Sequence, residues 1–330
     1  MNNVHQALIL QDQGQLDEAI KLLEEAVKLD PETLQVSYEL AIGYYSKTEY
    51  QKAVDILEKL KDRSDVNASV YHLLGNSYDK LNDLEKSVDY YIKGMGKFPD
   101  AGELYLEMGT LHLVRKEYTN AMGYYEKGIE MNPSFASNYY WAAKVFCNST
   151  DAVWGMIYGE IFLTMERDTK RTNEISKLLY DTYRKKITTS AEGAFKVDFS
   201  AGQNPNDTTR LKKTPFAKAV YEPILMMAVL REKKLDLESL CRIRKYFIEN
   251  YYKTERYTDY PNVLFDFQYR ALKAGFINEY SHYILYNGDA PAAEKWIAAN
   301  KKKWEAFMVW FRKNQLLLDK NYKFYRAQYN

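Results

Sequence analysis

The sequence reads Tyr71-His72-Leu73-Leu74-Gly75-Asn76-Ser77-Tyr78 near the middle of its first half. If this stretch is helical, a large, an aliphatic, a small and an aromatic residue share one face. A second helical stretch follows, and Pro99 ends it because proline lacks the backbone N–H. The same pattern reappears when the sequence is shifted by 34 residues in either direction. A repeat of this length is typical of helix pairs that stack on one another.

The repeat places small residues in two registers and bulky residues in a third, each with a step of 34. The first small register contains Ala7, Ala41, Gly75, Gly109 and Ala143. The second contains Ala19, Ala53, Ser87, Ala121 and Gly155. The bulky register contains Leu10, Tyr44, Tyr78, His112 and Phe146. Helices approach closely only where a side chain is small, and a short helix pair buries its apolar face only against a neighbouring pair.

These positions resemble the tetratricopeptide repeat family, closely over residues 1 to about 135 and loosely over 136–170. The resemblance implies an all-α fold, a right-handed α-α superhelix of stacked helix pairs. The predicted pairs are 2–13 and 16–29, 34–46 and 50–62, 68–80 and 84–97, and 102–114 and 118–131. Asp17 and Asp83 are expected to cap second helices, since their carboxylates can accept from free backbone N–H groups.

The 34-residue period is lost after a degenerate fifth unit that begins at Pro133. We therefore predict a repeat solenoid over 1–170, with four clear repeats and the degenerate fifth, and a C-terminal helical domain over 171–330. A β-hairpin is predicted near 187–200, because apolar and polar residues alternate there, with its turn at Glu192-Gly193 and an exposed loop from Gly202 to Arg210. Further helices are predicted near 214–231, 236–253, 261–274, 276–287 and 290–313.

The composition is that of a folded protein, because hydrophobic residues make up 46% of the 330 and charged residues 28%. No apolar run approaches the roughly 18 residues of a membrane-spanning helix, so we expect a soluble protein. The expected location is cytoplasmic as the sequence stands, and periplasmic or secreted if a leader was removed before Met1. Cys147 and Cys241 are better explained as two buried thiols than as a disulfide.

No residue pattern in the sequence indicates catalysis. The four histidines are scattered, and phosphate-binding loops, nucleophile elbows and zinc-binding helices are absent from the sequence. Glu24-Glu25 is expected on a solvated face, and Gly155 and Gly159 are expected to allow close packing between helices rather than membrane dimerisation. We therefore expect a protein that is not an enzyme and that uses neither a metal nor a cofactor.

In the family that the repeats resemble, ligands lie in a concave groove lined by the first helices, which implies a protein or peptide partner. The corresponding residues here are Tyr38, Ile42, Tyr45, His72, Asn76, Asp79, Leu106, Thr110, Tyr140 and Lys144. Most lysines of the family's carboxylate clamp are missing, so a clamp on a peptide C-terminus is not expected. Aromatic residues with scattered polar groups suit an extended peptide, an amphipathic helix or the chain's own tail. For each tyrosine, packing against neighbouring helices is the alternative role.

The charge is distributed unevenly along the chain. Residues 1–190 contain 22 Lys+Arg against 29 Asp+Glu, a balance of −7, while residues 191–330 contain 24 against 16, a balance of +8. Basic and aromatic residues occur together in the second half, at Lys233-Lys234, Arg242, Arg244 and Tyr251, which leaves nucleic acid as a less favoured partner. Docking onto the acidic half is the competing explanation, and the C-terminal region could close the groove in a purely structural role.

Overall fold

The computed structural model describes residues 2–189, 194–200 and 215–329. The predicted turn at Glu192-Gly193 and the predicted loop from Gly202 to Arg210 lie outside these residues. The chain forms two compact units, Met1–Arg115 and Lys116–Asn330, which we call unit 1 and unit 2. The division into functional domains at 170/171 remains a prediction.

Unit 1 consists of three helix pairs and the first helix of a fourth pair, at the predicted positions. Its helices are α1 (Asn2–Asp12), α2 (Leu16–Leu29), α3 (Leu34–Ser46), α4 (Tyr50–Leu60), α5 (Ala68–Lys80), α6 (Leu84–Lys97) and α7 (Gly102–Val114). The second helix of each pair packs against the first helix of the next, with α2 on α3, α4 on α5 and α6 on α7. Each pair therefore completes the burial of its neighbour's apolar face, as the repeat predicts.

The close approach of α5 and α6 depends on Gly75. A Cβ atom at this position would lie 2.1 Å from the ring of Tyr91, which fills the space beside α5. Tyr91 is only 2% exposed, and its hydroxyl donates a hydrogen bond to Asn76 Oδ1 at 2.5 Å. The ring is thus fixed at both ends, so this position of the small register has no room for a side chain.

A second contact also repeats every 34 residues, and it joins successive pairs. The hydroxyl of Tyr44 donates to Glu24, and the hydroxyl of Tyr78 donates to Glu58 Oε1 at 3.0 Å. The prediction that Glu24 lies on a merely solvated face is therefore wrong. A buried tyrosine ring needs a partner for its hydroxyl, and the carboxylate on the preceding second helix supplies it.

One of the two predicted helix caps is confirmed and the other is wrong. Asp83 caps α6, since its Oδ1 accepts from the backbone N–H of Lys86 at 3.2 Å. Asp17 lies inside the first turn of α2, which begins one residue earlier, and its carboxylate forms an ion pair with Lys47 at 2.6 Å. A carboxylate in the first turn is still favourable because it faces the positive end of the helix dipole.

Unit 2 continues the helix pairs and then becomes irregular. Its α-helices are α8 (Tyr118–Met131), α9 (Ala136–Cys147), α10 (Ala152–Met165), α11 (Lys170–Lys186), α12 (Glu222–Val229), α13 (Leu237–Lys253), α14 (Arg256–Asp259), α15 (Val263–Lys273), α16 (Ile277–Leu285), α17 (Ala290–Ala299) and α18 (Lys301–Lys313). A π-helical turn, Ala217–Tyr221, precedes α12, and 3-10 turns lie at Tyr286–Gly288 and Arg326–Tyr329. The predicted fold class, all-α with repeats and then a helical region, is confirmed.

Two glycines bring α10 close to its neighbours. A Cβ atom at Gly155 would lie 2.4 Å from the backbone nitrogen of Cys147 on α9. A Cβ atom at Gly159 would lie 2.9 Å from Leu179 on α11. The two glycines therefore serve close helix packing, as predicted.

The predicted hairpin is present and is anchored to the helices. Strands β1 (Ile187–Thr189) and β2 (Phe195–Val197) pair antiparallel, with Ile187 opposite Val197. Beyond β2, the backbone N–H groups of Phe199 and Ser200 both donate to Glu222 Oε1 at 2.9 Å. The carboxylate at the start of α12 thus satisfies backbone groups that the short hairpin leaves without strand partners.

A buried ion pair joins α10 to α13 in the core of unit 2. Arg244 donates to both oxygens of Glu160, at 2.6 and 2.8 Å, and both side chains are 5% exposed. Gln268 on α15 donates to the same carboxylate at 2.6 Å. Glu160 stands in the 34-residue register of Glu24 and Glu58, so a periodic position that binds tyrosine in unit 1 binds arginine here.

The predicted helix over 290–313 is in fact two helices, α17 and α18, separated at Asn300. The Asn300 side-chain amide donates to the carbonyl of Trp296 at 2.8 Å, which satisfies the end of α17 and competes with continued helix. Because of the break, Trp296 stacks on His282 with ring centroids 3.7 Å apart, while Phe307 and Phe311 are fully buried. The spacing of the aromatic side chains of 290–313 predicts one stripe of core, but Phe307 and Phe311 are buried while Trp296 and Trp304 are half-buried.

Gly75→Ala should lower the urea midpoint of unfolding, by a change equivalent to about 1–3 kcal/mol, because the added methyl group collides with the fixed Tyr91 ring. Gly96→Ala is the matched control. It is an exposed glycine of α6 with nothing within 4 Å, so alanine should stabilise the helix by about 0.5–1 kcal/mol. Circular dichroism monitors the unfolding. If both substitutions shift the urea midpoint equally, Gly75 makes no space for Tyr91.

Arg244→Met should destabilise the protein by about 3–5 kcal/mol, because it leaves the Glu160 carboxylate buried without a cation. The double variant Arg244→Met/Glu160→Leu should recover most of this loss, since no buried charge remains. Arg242→Met is the control. Its ion pair with Glu232 is half-exposed, so the expected cost is about 0–1 kcal/mol. Chemical denaturation measures all three, and a double variant as unstable as Arg244→Met would contradict the ion-pair explanation.

Candidate functional site

The first helices α3, α5 and α7 lie side by side in unit 1, and their half-buried residues form one surface. α3 contacts α5, and α5 contacts α7. We call this surface the first-helix face. It contains eight of the predicted site residues, all half-buried, namely Tyr38, Ile42, Tyr45, His72, Asn76, Asp79, Leu106 and Thr110. These side chains are neither in the core nor fully solvated, as residues that meet a partner often are.

Polar contacts connect the helices across this face. His72 Nε2 on α5 lies 3.0 Å from Glu107 Oε1 on α7, and Asn76 Nδ2 lies 3.2 Å from the same ring nitrogen. Asn76 also accepts from the buried hydroxyl of Tyr91. Asn76 therefore has a structural role as well, and a substitution there would disturb both the core and the surface.

Two of the three tyrosines of α3, Tyr38 and Tyr45, lie in an acidic environment. The pKa of Tyr38 is raised by burial, and Glu39 and Glu103 add to the rise while a hydrogen bond with Ser69 opposes it. The pKa of Tyr45 is raised by burial first and then by neighbours that include Glu107 and Asp79. Carboxylates from all three helices therefore act on the same pair of phenol rings.

Four carboxylates border the face: Glu39, Asp79, Glu103 and Glu107. Only Asp79 was among the predicted site residues. Across residues 3–115, which are described without a gap, α3 and α7 contain no Lys or Arg, and α5 contains only Lys80, 3.6 Å from Asp79. Unit 1 has 12 Lys+Arg against 20 Asp+Glu, a balance of −8. The signal that could have revealed this acidic surface is the lack of basic residues in two first helices.

Two carboxylates on second helix α6 and at its N-cap are different, because lysines pair with them. Asp83 pairs with Lys86 at 3.0 Å, and Asp89 pairs with Lys93 at 2.6 Å, both along α6. The first helices of unit 1 contain 5 Asp+Glu against 1 Lys, a balance of −4, while its second helices contain 8 against 7, a balance of −1.

The last two predicted site residues, Tyr140 and Lys144, belong to unit 2 and already have partners there. The hydroxyl of Tyr140 donates to Glu174 on α11, and Lys144 pairs with the same carboxylate at 2.7 Å. The guanidinium of Arg171 lies over the Tyr140 ring at 5.2 Å. Helix α11 thus covers this part of α9, and Tyr140 is buried.

Several basic and aromatic residues of the second half are used inside unit 2. Arg244 and Tyr251 are buried, Arg242 pairs with Glu232, and Lys303 pairs with Glu279 at 3.1 Å. These contacts give three of the cations in the second half a partner within unit 2.

Among the described thiols and histidines, Cys241 Sγ lies 3.4 Å from His282 Nδ1. Burial raises the pKa of Cys241 and lowers the pKa of His282, which disfavours the charged form of each. Cys147 and Cys241 are free and buried, as predicted, and burial raises the pKa of Cys147 to about 12, so this thiol stays neutral. No group of three or more His, Cys, Asp or Glu side chains within the described part of the chain is placed to hold a metal ion. Among the helices that the structure describes, none is both long and apolar enough to cross a membrane.

Comparison with curated proteins gives partial matches. The chain is 29% identical over 132 residues to the protein O-mannosyl-transferase TMTC1 of Mus musculus, and the match covers 38% of this chain and 14% of the mouse protein. The TMTC1 of Homo sapiens matches with the same identity over 15% of its length. The chain therefore spans about one seventh of the curated relatives that it matches.

Solved structures of similar fold include the tetratricopeptide repeat protein TTC0263 of Thermus thermophilus, at 17% identity and a TM-score of 0.45, covering 54% of this chain and 97% of that one. The pilF protein of Pseudomonas aeruginosa gives 17% identity and a TM-score of 0.46, with 56% and 82% covered. The sequence pattern of the tetratricopeptide repeat matches this chain at residues 10–77 and 68–96. Together with the helix pairs of unit 1, these two pattern matches place the N-terminal part of the chain in the tetratricopeptide repeat family.

Proposed function

We propose that this protein is a non-catalytic scaffold that binds a protein or peptide segment on the first-helix face of unit 1. The observation that carries the proposal is the composition of that face. Half-buried aromatic and apolar side chains lie there beside carboxylates that few basic residues neutralise. Aromatic and apolar side chains supply contact area for a bound segment, and polar groups around them orient it.

The charge of the face favours a cationic segment. Glu39 and Glu103 form no ion pair with any described residue of unit 1, so both can pair with lysine or arginine of a partner. The ring of Tyr45 is half-buried and can receive a cation over its face. A peptide C-terminus would be repelled by the same carboxylates, which agrees with the missing lysines of the family's carboxylate clamp.

A non-catalytic role is supported by the surroundings of the nucleophiles and bases. The Cys147 and Cys241 thiols are buried, and burial raises the pKa of each. His72 is held by Glu107 and Asn76 on a surface that is open to solvent. The transferase activity of the TMTC1 proteins belongs to chains of which only about one seventh is matched, so we do not propose it here.

Peptides selected from a random display library on the full chain should bind the first-helix face. Tyr45→Ala/Leu106→Ala should weaken their binding about tenfold, because half-buried apolar side chains at a contact commonly contribute more than 1 kcal/mol each. Leu29→Ala/Ile92→Ala is the matched control, since it truncates exposed apolar side chains on second helices. Fluorescence anisotropy gives the affinities and a thermal melt checks folding. Peptides that bind both double variants equally would place the contact elsewhere.

The selected peptides should be rich in lysine and arginine. Glu39→Gln/Glu103→Gln should weaken binding about fivefold to tenfold at low salt and flatten its dependence on salt, because two charge pairs are lost. The control Glu25→Gln/Glu85→Gln changes the net charge equally at exposed positions of second helices and should have little effect. Selected peptides without a charge bias, or equal losses in the two variants, would contradict the cationic preference and leave the peptide-binding role standing.

A further inference from the structure

Unit 2 contains a cavity of about 220 Å³ lined by side chains from α10, α11, α16 and α18 and from the turns beside them. Aromatic rings form part of its wall, from Tyr283, Tyr286 and Trp304. All three side chains are half-buried, so each ring is partly covered by protein and partly open. A rigid aromatic wall of this kind offers a flat apolar surface to a small ligand.

Leu163 and Met308 add apolar surface to the wall, and the other lining residues are polar and include both donors and acceptors. The backbone N–H of Asn287 donates to Ser176 Oγ at 2.9 Å, and its side-chain amide donates to Asn173 Oδ1 at 3.3 Å. These bonds fix the three side chains and leave the Ser176 hydroxyl and the Asn173 amide nitrogen as donors. Asp168 lines the cavity as well, and its carboxylate forms no hydrogen bond or ion pair with any residue that the structure describes.

Two opposite charges act on the Tyr283 hydroxyl in the cavity wall. Burial raises the pKa of Tyr283 to about 12, Arg167 acts to lower it and Asp168 acts to raise it. A cation and a carboxylate therefore act on the same hydroxyl. Asp168 disfavours an anion, no Lys or Arg lines the described wall, and the guanidinium of Arg167 offsets the pull of Asp168 on a cation.

A neutral ligand with many hydroxyl groups fits these conditions. The C–H face of a sugar ring can lie on an aromatic wall, while its hydroxyls donate to Asp168 and accept from Asn173 and Ser176. The cavity is smaller than the roughly 300–1,000 Å³ of sites for drug-sized ligands, which limits it to a single ring. We infer that the cavity formed by Asp168, Asn173, Ser176, Tyr283, Asn287 and Trp304 binds one neutral pyranose ring of a carbohydrate. This inference is independent of the proposed peptide-binding function.

The test uses the full chain and a panel of methyl glycosides of glucose, galactose and mannose, with N-acetylglucosamine, each up to about 10 mM. Choline and inorganic phosphate serve as cationic and anionic probes. Saturation-transfer NMR and calorimetry should show saturable binding of at least one sugar and none of choline or phosphate. If every sugar fails to bind, or if choline alone binds, the inference is overturned.

Variants then locate the site. Trp304→Ala should weaken sugar binding about tenfold, because it removes an aromatic ring of the wall. Asp168→Asn should weaken it to a similar extent, because it replaces one charged acceptor oxygen with an NH2 donor and leaves only a neutral acceptor. Asparagine suits position 168, whose backbone has a φ of 57°. Trp296→Ala is the control, since Trp296 stacks on His282 and does not line the cavity. If Trp304→Ala fails to fold, Asp168→Asn still tests the sugar site. The Asp168 side chain is exposed, so its substitution should not disturb folding. Unchanged sugar affinity in Asp168→Asn would refute the assignment.

Discussion

A pair of short helices cannot bury its own apolar face, and this constraint shapes the whole chain. In unit 1 each pair is completed by the next, with Gly75 and Tyr91 fitted together inside a pair and tyrosine–glutamate hydrogen bonds between pairs. In unit 2 the fifth pair is followed by helices without a repeat, and these helices, instead of a further pair, cover its apolar face. Helix α10 is buried along almost its entire length, which explains why its sequence is apolar on every side.

The buried carboxylate of Glu160 occupies a periodic position whose bonding partner differs between unit 1 and unit 2. In unit 1 the equivalent glutamates accept from tyrosine hydroxyls at the edge of the stack. In unit 2 the same register lies in the core, where an unpaired charge would be very costly, and Arg244 and Gln268 bind it. The C-terminal helices therefore form one hydrogen-bonded core with the last repeat of the series.

Periodic and aperiodic residues have different roles in the repeats. The periodic residues hold the helices together and are mostly buried, so they have little surface left for a partner. The aperiodic residues of the first-helix face, such as Tyr38, His72 and Glu103, differ from one repeat to the next, and the proposed function assigns partner recognition to them. In unit 2 the residues around the cavity come from loops and helices without a repeat, so no periodic rule governs their chemistry.

Local spacing was enough to predict the helices of unit 1 within two residues, the hairpin and the two separate thiols. These features depend on period, proline positions and alternation, which are properties of neighbouring residues in the chain. Contacts between distant residues could not be predicted. The pairing of Glu160 with Arg244 spans 84 residues, and the break at Asn300 depends on a side-chain hydrogen bond that no periodicity encodes. The acidity of the first-helix face was likewise hidden, because it arises from carboxylates on three helices that only the stacked structure brings onto one surface.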